Sequence, residues 1–240
     1  MRGNNGPQIN SPYPPGRDPY YEVEVHYPPY GDPYGNQRPP IIYSAQGSKG
    51  GMFSFTPREV RELLISIAVL TFAFAKVLGE DRTIVENLIP AFIAVFTGFF
   101  LHEMGHKFMA QSYGLFTEFR MSEQGLMLAF ITSFFGFLIA APGAVVISGY
   151  PTRAQSGKTA IAGPGTNIAI AAIAAPFVFA GGEVAYTAEL VLFINAFLAL
   201  FNLIPYHPLD GEKIVKWSVP FYVLTVVMAL SFFIGGLMFI

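Results

Sequence analysis

The sequence predicts an all-α polytopic membrane protein. About five to six transmembrane helices are expected, with a re-entrant or β-hairpin element after the helix that carries a His-Glu-x-x-His motif. Three observations lead there. The 240 residues are 52% hydrophobic and only 12% charged, with a mean hydropathy of +0.46, a profile typical of membrane proteins. Apolar segments of about twenty residues follow one another with short polar breaks, as a bilayer core about 30 Å thick requires of helices. Arginines and lysines gather in a subset of those breaks, as membrane orientation demands.

Composition also excludes function classes. A formal net charge of −2 argues against nucleic acid as a partner. The absence of cysteine removes disulfides, thiolate metal sites and a cysteine nucleophile. The N-terminus lacks the apolar core of a signal peptide, so membrane targeting is expected to come from internal spans.

Residues 1–50 read as a separate region. Ten of the nineteen prolines and seven of the twelve tyrosines lie there, in runs such as Tyr27-Pro28-Pro29-Tyr30. Such a composition does not support a packed core, so a disordered, partly polyproline tail is expected. Glu22–Tyr27 alternates like a short strand. The tail is either a solvated segment or a docking segment for a partner whose identity the residues do not disclose.

Residues 56–240 read as the membrane-embedded domain. Thr56-Pro57-Arg58-Glu59 has the composition of a capped helix start, with proline in the first turn and glutamate three residues after threonine. Spans are expected at about 60–78, 87–109, 158–180, 187–204 and 219–240, with Lys76 snorkelling at the end of the first. A further apolar stretch covers 125–147, and charge decides how to treat it. If it crosses, the ten loop arginines and lysines from Lys49 to Lys216 divide evenly between the two sides. If it enters and leaves on one side, nine share a side and only Arg82 is opposite. The second arrangement gives a clear orientation, with the N-terminus inside and the C-terminus outside. Gly136 and Ala141-Pro142-Gly143 interrupt the stretch, as a re-entrant segment needs. Residues 117–121 alternate loosely and could form a strand at the membrane surface.

The most informative residues are His102-Glu103-Met104-Gly105-His106, inside the second span. Histidines at i and i+4 share a helix face, and the adjacent glutamate leans toward the same site. Ionisable groups inside a bilayer are expensive and mark function. Lys107 follows directly and is expected to mark the inner boundary, which places His102 roughly 7 Å below it at 1.5 Å per residue. A catalytic zinc takes three protein ligands and keeps one position open, so one Zn2+ per chain needs a third ligand. Glu118 and Glu123 lie in the polar hairpin; Glu183 and Glu189 flank a loop assigned to the outside. Asp210 lies where a span breaks into Pro205-Tyr206-His207-Pro208-Leu209. With five crossings Asp210 and the histidines share a side; with six they are separated by about 30 Å of hydrocarbon. Glu103 would then serve as the catalytic base.

These motifs resemble the site-2 protease family (peptidase M50) of intramembrane zinc metalloproteases. The resemblance rests on His102–His106 in a span, Gly163-Pro164-Gly165-Thr166-Asn167 in a later one, and Asn202-Leu203-Ile204-Pro205 followed by Leu209-Asp210-Gly211. It covers roughly residues 58–216. It implies zinc on His102, His106 and Asp210, Glu103 as base, and cleavage within transmembrane protein substrates, often membrane-tethered regulators. It assigns Asn202, and with it Asn167, to substrate or oxyanion binding, against the plainer reading of helix–helix hydrogen bonds. His207 stands where the family more often carries an apolar residue or proline, and three residues before Asp210 it could support that carboxylate. The expected location is the cytoplasmic membrane, multi-pass, with the active site opening to the cytoplasm. An edge strand near 117–128 is expected to capture unwound substrate by strand addition. The competing readings are an ion- or proton-coupled transporter, which would also place His and Glu in a span, and a catalytically inactive scaffold, against which the intact motif argues.

Overall fold

The computed structural model describes residues 23–24, 44–45, 54–78 and 82–239. The chain divides into two compact units, 1–50 and 51–240. In the first, strands β1 (Val23–Glu24) and β2 (Ser44–Ala45) pair antiparallel, Val23 opposite Ala45. The expectation of a disordered tail otherwise falls outside the described residues.

The second unit is mostly helical. Helix α1 (Pro57–Val77) begins at the expected signal: Thr56 accepts from the Glu59 amide, and the Glu59 carboxylate reaches back to the Thr56 amide. Thr83 and Glu86 make the same reciprocal cap for α2 (Ile84–Val95). A π-helical turn, Phe96–Phe100, joins α2 to α3 (Leu101–Ser112), giving 29 continuous helical residues, Ile84–Ser112. Helix α5 (Arg153–Ala174) is capped by Thr152 and tightens into a 3-10 turn at Ala175–Phe179. Helix α6 spans Gly182–Asn202, the short α7 Asp210–Trp217 and the last, α8, Val219–Gly236. Ile84–Ser112, Arg153–Phe179, Gly182–Asn202 and Val219–Gly236 are long and apolar enough to cross a membrane. Helix α1 has 21 residues, but Arg61, Glu62 and Lys76 interrupt its apolar run.

The apolar segment 125–147 takes a different form. It begins in α4 (Glu123–Ser133, 11 residues), turns, and returns as strand β4 (Gly143–Ser148). Eleven residues rise about 16 Å, roughly half the hydrocarbon thickness. Strand β4 pairs antiparallel with β3 (Phe116–Met121), Phe119 opposite Val145. Helix α4 and the turn after it leave Met127, Phe130, Ile131, Phe134, Phe135 and Phe137 exposed, a surface that suits lipid and would be a liability in water.

Small residues set the helix packing, as is usual where lipid and core are equally apolar. Ala94 of α2 and Ala171 and Ala174 of α5 meet Ala188, Val191 and Ile194 of α6 in one cluster. A second joins Ala160 and Ile168 to Ala199, Leu203, Ile214 and Ala229. Helices α3 and α5 meet at the motif itself. A Cβ on Gly105 would lie 2.7 Å from both the Ala162 carbonyl oxygen and Thr166 Oγ1. The glycine between the histidines is therefore what lets α5 approach them.

A buried ionic cluster ties α1, α3 and the sheet together. Lys107 Nζ donates to Glu59 at 3.0 Å and to the Thr117 carbonyl at 3.1 Å. The amides of Phe119 and Met121 donate to Glu59 Oε1 (2.9 Å) and Glu62 Oε2 (3.0 Å). Lys107 is fully buried, so it does not mark an aqueous boundary: Glu59 supplies the counter-charge that a lysine there requires. The outer edge of β3 is closed by these carboxylates, and Glu123–Ser133 is helical, so the expected substrate-capturing edge at 117–128 is not free. The outward edge of the sheet belongs to β4.

Candidate metal centre

Three elements deliver one cluster. His102 and His106 project from the same face of α3, and Asp210 is the first residue of α7. The ligating atoms of these three buried residues lie within 4.8 Å of one another. His102 Nε2 and His106 Nε2 are 3.0 Å apart. Asp210 Oδ2 is 3.6 Å from the first and 3.1 Å from the second. Tetrahedral zinc with ligands at about 2.0–2.1 Å would space them by about 3.3 Å, so the donor set and its spacing both fit.

The outward ring nitrogens show why a cation belongs here. His106 Nδ1 lies 2.8 Å from the Thr159 carbonyl, an oxygen that can only accept. His102 Nδ1 contacts Asn167 Oδ1. Each Nδ1 therefore carries the proton, and each Nε2 turns a lone pair inward. Two lone pairs and a carboxylate oxygen converge in a buried space, which is repulsive unless a cation lies among them. Gly163 of α5 keeps that space open: a Cβ there would fall on His106 Nε2 and lie 2.7 Å from His102 Nε2.

Glu103, the next residue on α3, is buried, and its Oε2 accepts from the Val145 amide of β4 at 2.9 Å. That contact turns the outward edge of β4 toward Glu103. Lys213 Nζ stands 3.7 Å from the other Asp210 oxygen.

The remaining expected site residues distribute differently. Asn167 is fully buried against His102, and its amide donates to the Gly98 carbonyl and to Asn195 Oδ1, both at 2.9 Å. Both of its donors are engaged, so it offers none to an oxyanion. Asn202 donates to the Leu198 carbonyl one turn back, at 2.9 Å. His207 does not support Asp210. Its side chain is 81% exposed and its Nδ1 lies 3.1 Å from Glu212 Oε2. Lys216, and then His207, hold the Glu212 carboxyl below its ordinary range by hydrogen bonding to it. Glu118 binds Thr56 and Arg120, and Glu183 binds Arg82.

Three participants were not singled out from the sequence. Asn195 had a signal, an amide in an otherwise apolar span. Glu59 had one too, as an acid opposite an isolated lysine. The Val145 amide has none, because every residue but proline carries one.

No family model matches the chain, and no solved structure matches it. The chain is 40% identical over 172 residues to the curated protein "Putative zinc metalloprotease MJ0611" of Methanocaldococcus jannaschii, an overlap covering 70% of this chain and 88% of that protein.

Proposed function

The chain belongs to the family of that Methanocaldococcus zinc metalloprotease, and from this premise we propose an intramembrane zinc metalloprotease of the site-2 type. It hydrolyses peptide bonds in or near transmembrane segments of membrane-anchored proteins, regulators among them. The observation that carries the reading is the buried convergence of His102 Nε2, His106 Nε2 and Asp210 Oδ2 beside the glutamate of the motif.

His102, His106 and Asp210 hold one Zn2+. Bound zinc supplies Lewis acidity, activating water near neutral pH and polarising a peptide carbonyl. Glu103 takes the proton from the attacking water and delivers it to the departing amine. Its Oε2 is engaged by Val145 N–H, so Oε1 is the oxygen left for that proton. The outward edge of β4 runs past this carboxylate, so an unwound substrate segment added there as a strand would bring its peptide bonds to Glu103.

Residues 56–240 form the catalytic membrane domain, with five crossings in α1, Ile84–Ser112, α5, α6 and α8. The brevity of α4 supports that count, and the basic residues support an active site opening to the cytoplasm, in the cytoplasmic membrane. The N-terminal tail is left for a partner other than the substrate.

The test is zinc content per chain in detergent, with cleavage of a membrane-helix substrate by wild type and Glu103→Gln. One zinc per chain in both, with cleavage only in wild type, is expected. Transport of an ion without bound zinc would favour the transporter reading. Zinc binding without cleavage in wild type would favour the scaffold.

A further inference from the structure

The amides behind His102 form a one-way chain of hydrogen bonds. It starts at the Ile93 carbonyl, which can only accept. Thr97 Oγ1 lies 2.7 Å from it and donates its single proton there. Its lone pairs then face Asn195, whose Nδ2 donates to it at 3.1 Å and to the Val191 carbonyl at 2.9 Å. With both donors engaged, Asn195 presents Oδ1 to Asn167 Nδ2 at 2.9 Å. Asn167 donates its second proton to Gly98 O, inside the π-helical turn. It is thereby obliged to present Oδ1 to His102.

We infer that Asn195 is a positioning residue for the metal centre, acting through Asn167 to hold His102 in the tautomer whose Nε2 lone pair faces the metal. Were Asn167 to rotate by half a turn, its NH2 would meet His102 Nδ1–H, and its oxygen would meet two other oxygens, Gly98 O and Asn195 Oδ1. Asn195 supplies one of the two acceptors that forbid that rotation. Both asparagines are fully buried, so water offers no substitute partner, and an unpaired amide there is costly. Outer partners of this kind orient ligating histidines and raise their basicity. The identity of the ion rests on the metalloprotease reading; the hydrogen-bond direction does not.

The test uses the full chain in detergent, with zinc affinity measured by chelator competition. Asn195→Leu should weaken zinc binding about 10–100-fold. Asn195→Asp, neutral when buried, keeps an acceptor for Asn167 and should stay within about threefold of wild type, short of the 10–100-fold loss that goes with a missing partner. The second readout needs no zinc: imidazole nitrogen shifts of the metal-free protein should show one Nδ1–H tautomer for His102 in wild type and a mixture in Asn195→Leu. An unchanged affinity with an unmixed tautomer in Asn195→Leu would overturn the inference and leave the protease reading intact. Failure of wild type to cleave while binding zinc normally would do the reverse. Should Asn195→Leu not fold, Thr97→Val breaks the chain one link further out. It is then expected to mix the tautomers, and a wild-type spectrum from it would overturn the inference.

Discussion

Gly163 and Gly165 flank Pro164 in one turn of α5, yet an added methyl should separate them completely. At Gly163 the new carbon would lie 2.7 Å from His102 Nε2 and closer still to His106. Ordinary contact begins near 3.4 Å, so His102 or the methyl must give way by 0.7 Å, the difference of those two values. Zinc ligation tolerates about 0.2 Å. The displacement exceeds that more than threefold at one histidine and by more at the other. Gly163→Ala should therefore lose at least about 100-fold in zinc affinity, the upper end seen when a mere supporting contact is removed. Gly165 has nothing within 4 Å of its added carbon. Gly165→Ala should bind zinc normally and gain up to about 1 kcal/mol of helix stability. Chelator competition gives the affinities, and thermal unfolding of the metal-free proteins controls for folding. Zinc affinity within twofold of wild type in Gly163→Ala would refute the argument, as would equal losses in both variants.

Other outcomes follow from the same contacts. Lys107→Met leaves Glu59 buried without a counter-charge and should destabilise the chain by about 3–5 kcal/mol; adding Glu59→Gln should restore much of that, and unfolding curves of the two variants decide it. Removing zinc with a chelator should lower the unfolding temperature, because zinc at 100 times its Kd contributes about 2.7 kcal/mol; identical unfolding of loaded and stripped protein would argue against a bound ion. On β4, Ile147→Pro removes an outward N–H of the same parity as Val145, whereas Val146→Pro breaks the pairing with Glu118. The first should slow substrate cleavage at unchanged zinc content and stability, and the second should lower stability as well. Full cleavage by Ile147→Pro would sink strand addition at this edge.

What the sequence discloses here follows from where the physics is local. Capping at Thr56, the helical spacing of His102 and His106, and the need for an acid on the same side are properties of short stretches and of bilayer thickness. Those parts of the fold and site were legible. Lys107 was misplaced because charge in a membrane sequence normally signals an interface, and its partner Glu59 lies 48 residues away. His207 was linked to Asp210 through spacing alone, while its ring turns outward to Glu212. The roles of Asn167 and Asn195 depend on which way each amide faces, and that is fixed only when α2, α5 and α6 are packed. The free edge of the sheet passed from β3 to β4 for a similar reason, since the carboxylates closing β3 come from α1.

The π-helical turn at Phe96–Phe100 has a consequence for how the chain tolerates change in length. It holds one residue more than an α-helical turn would. Each residue of an α-helix accounts for about 100° of rotation, so deleting a single residue from this turn would turn α3 by about that angle relative to α2. The span would keep its hydropathy and nearly its length, and would still cross a bilayer. His102, Glu103 and His106 would face a different neighbour. In this helix the compass bearing of the active site is set by five residues that touch neither ligand nor substrate, and a frame-preserving deletion there would silence the motif without altering one of its letters.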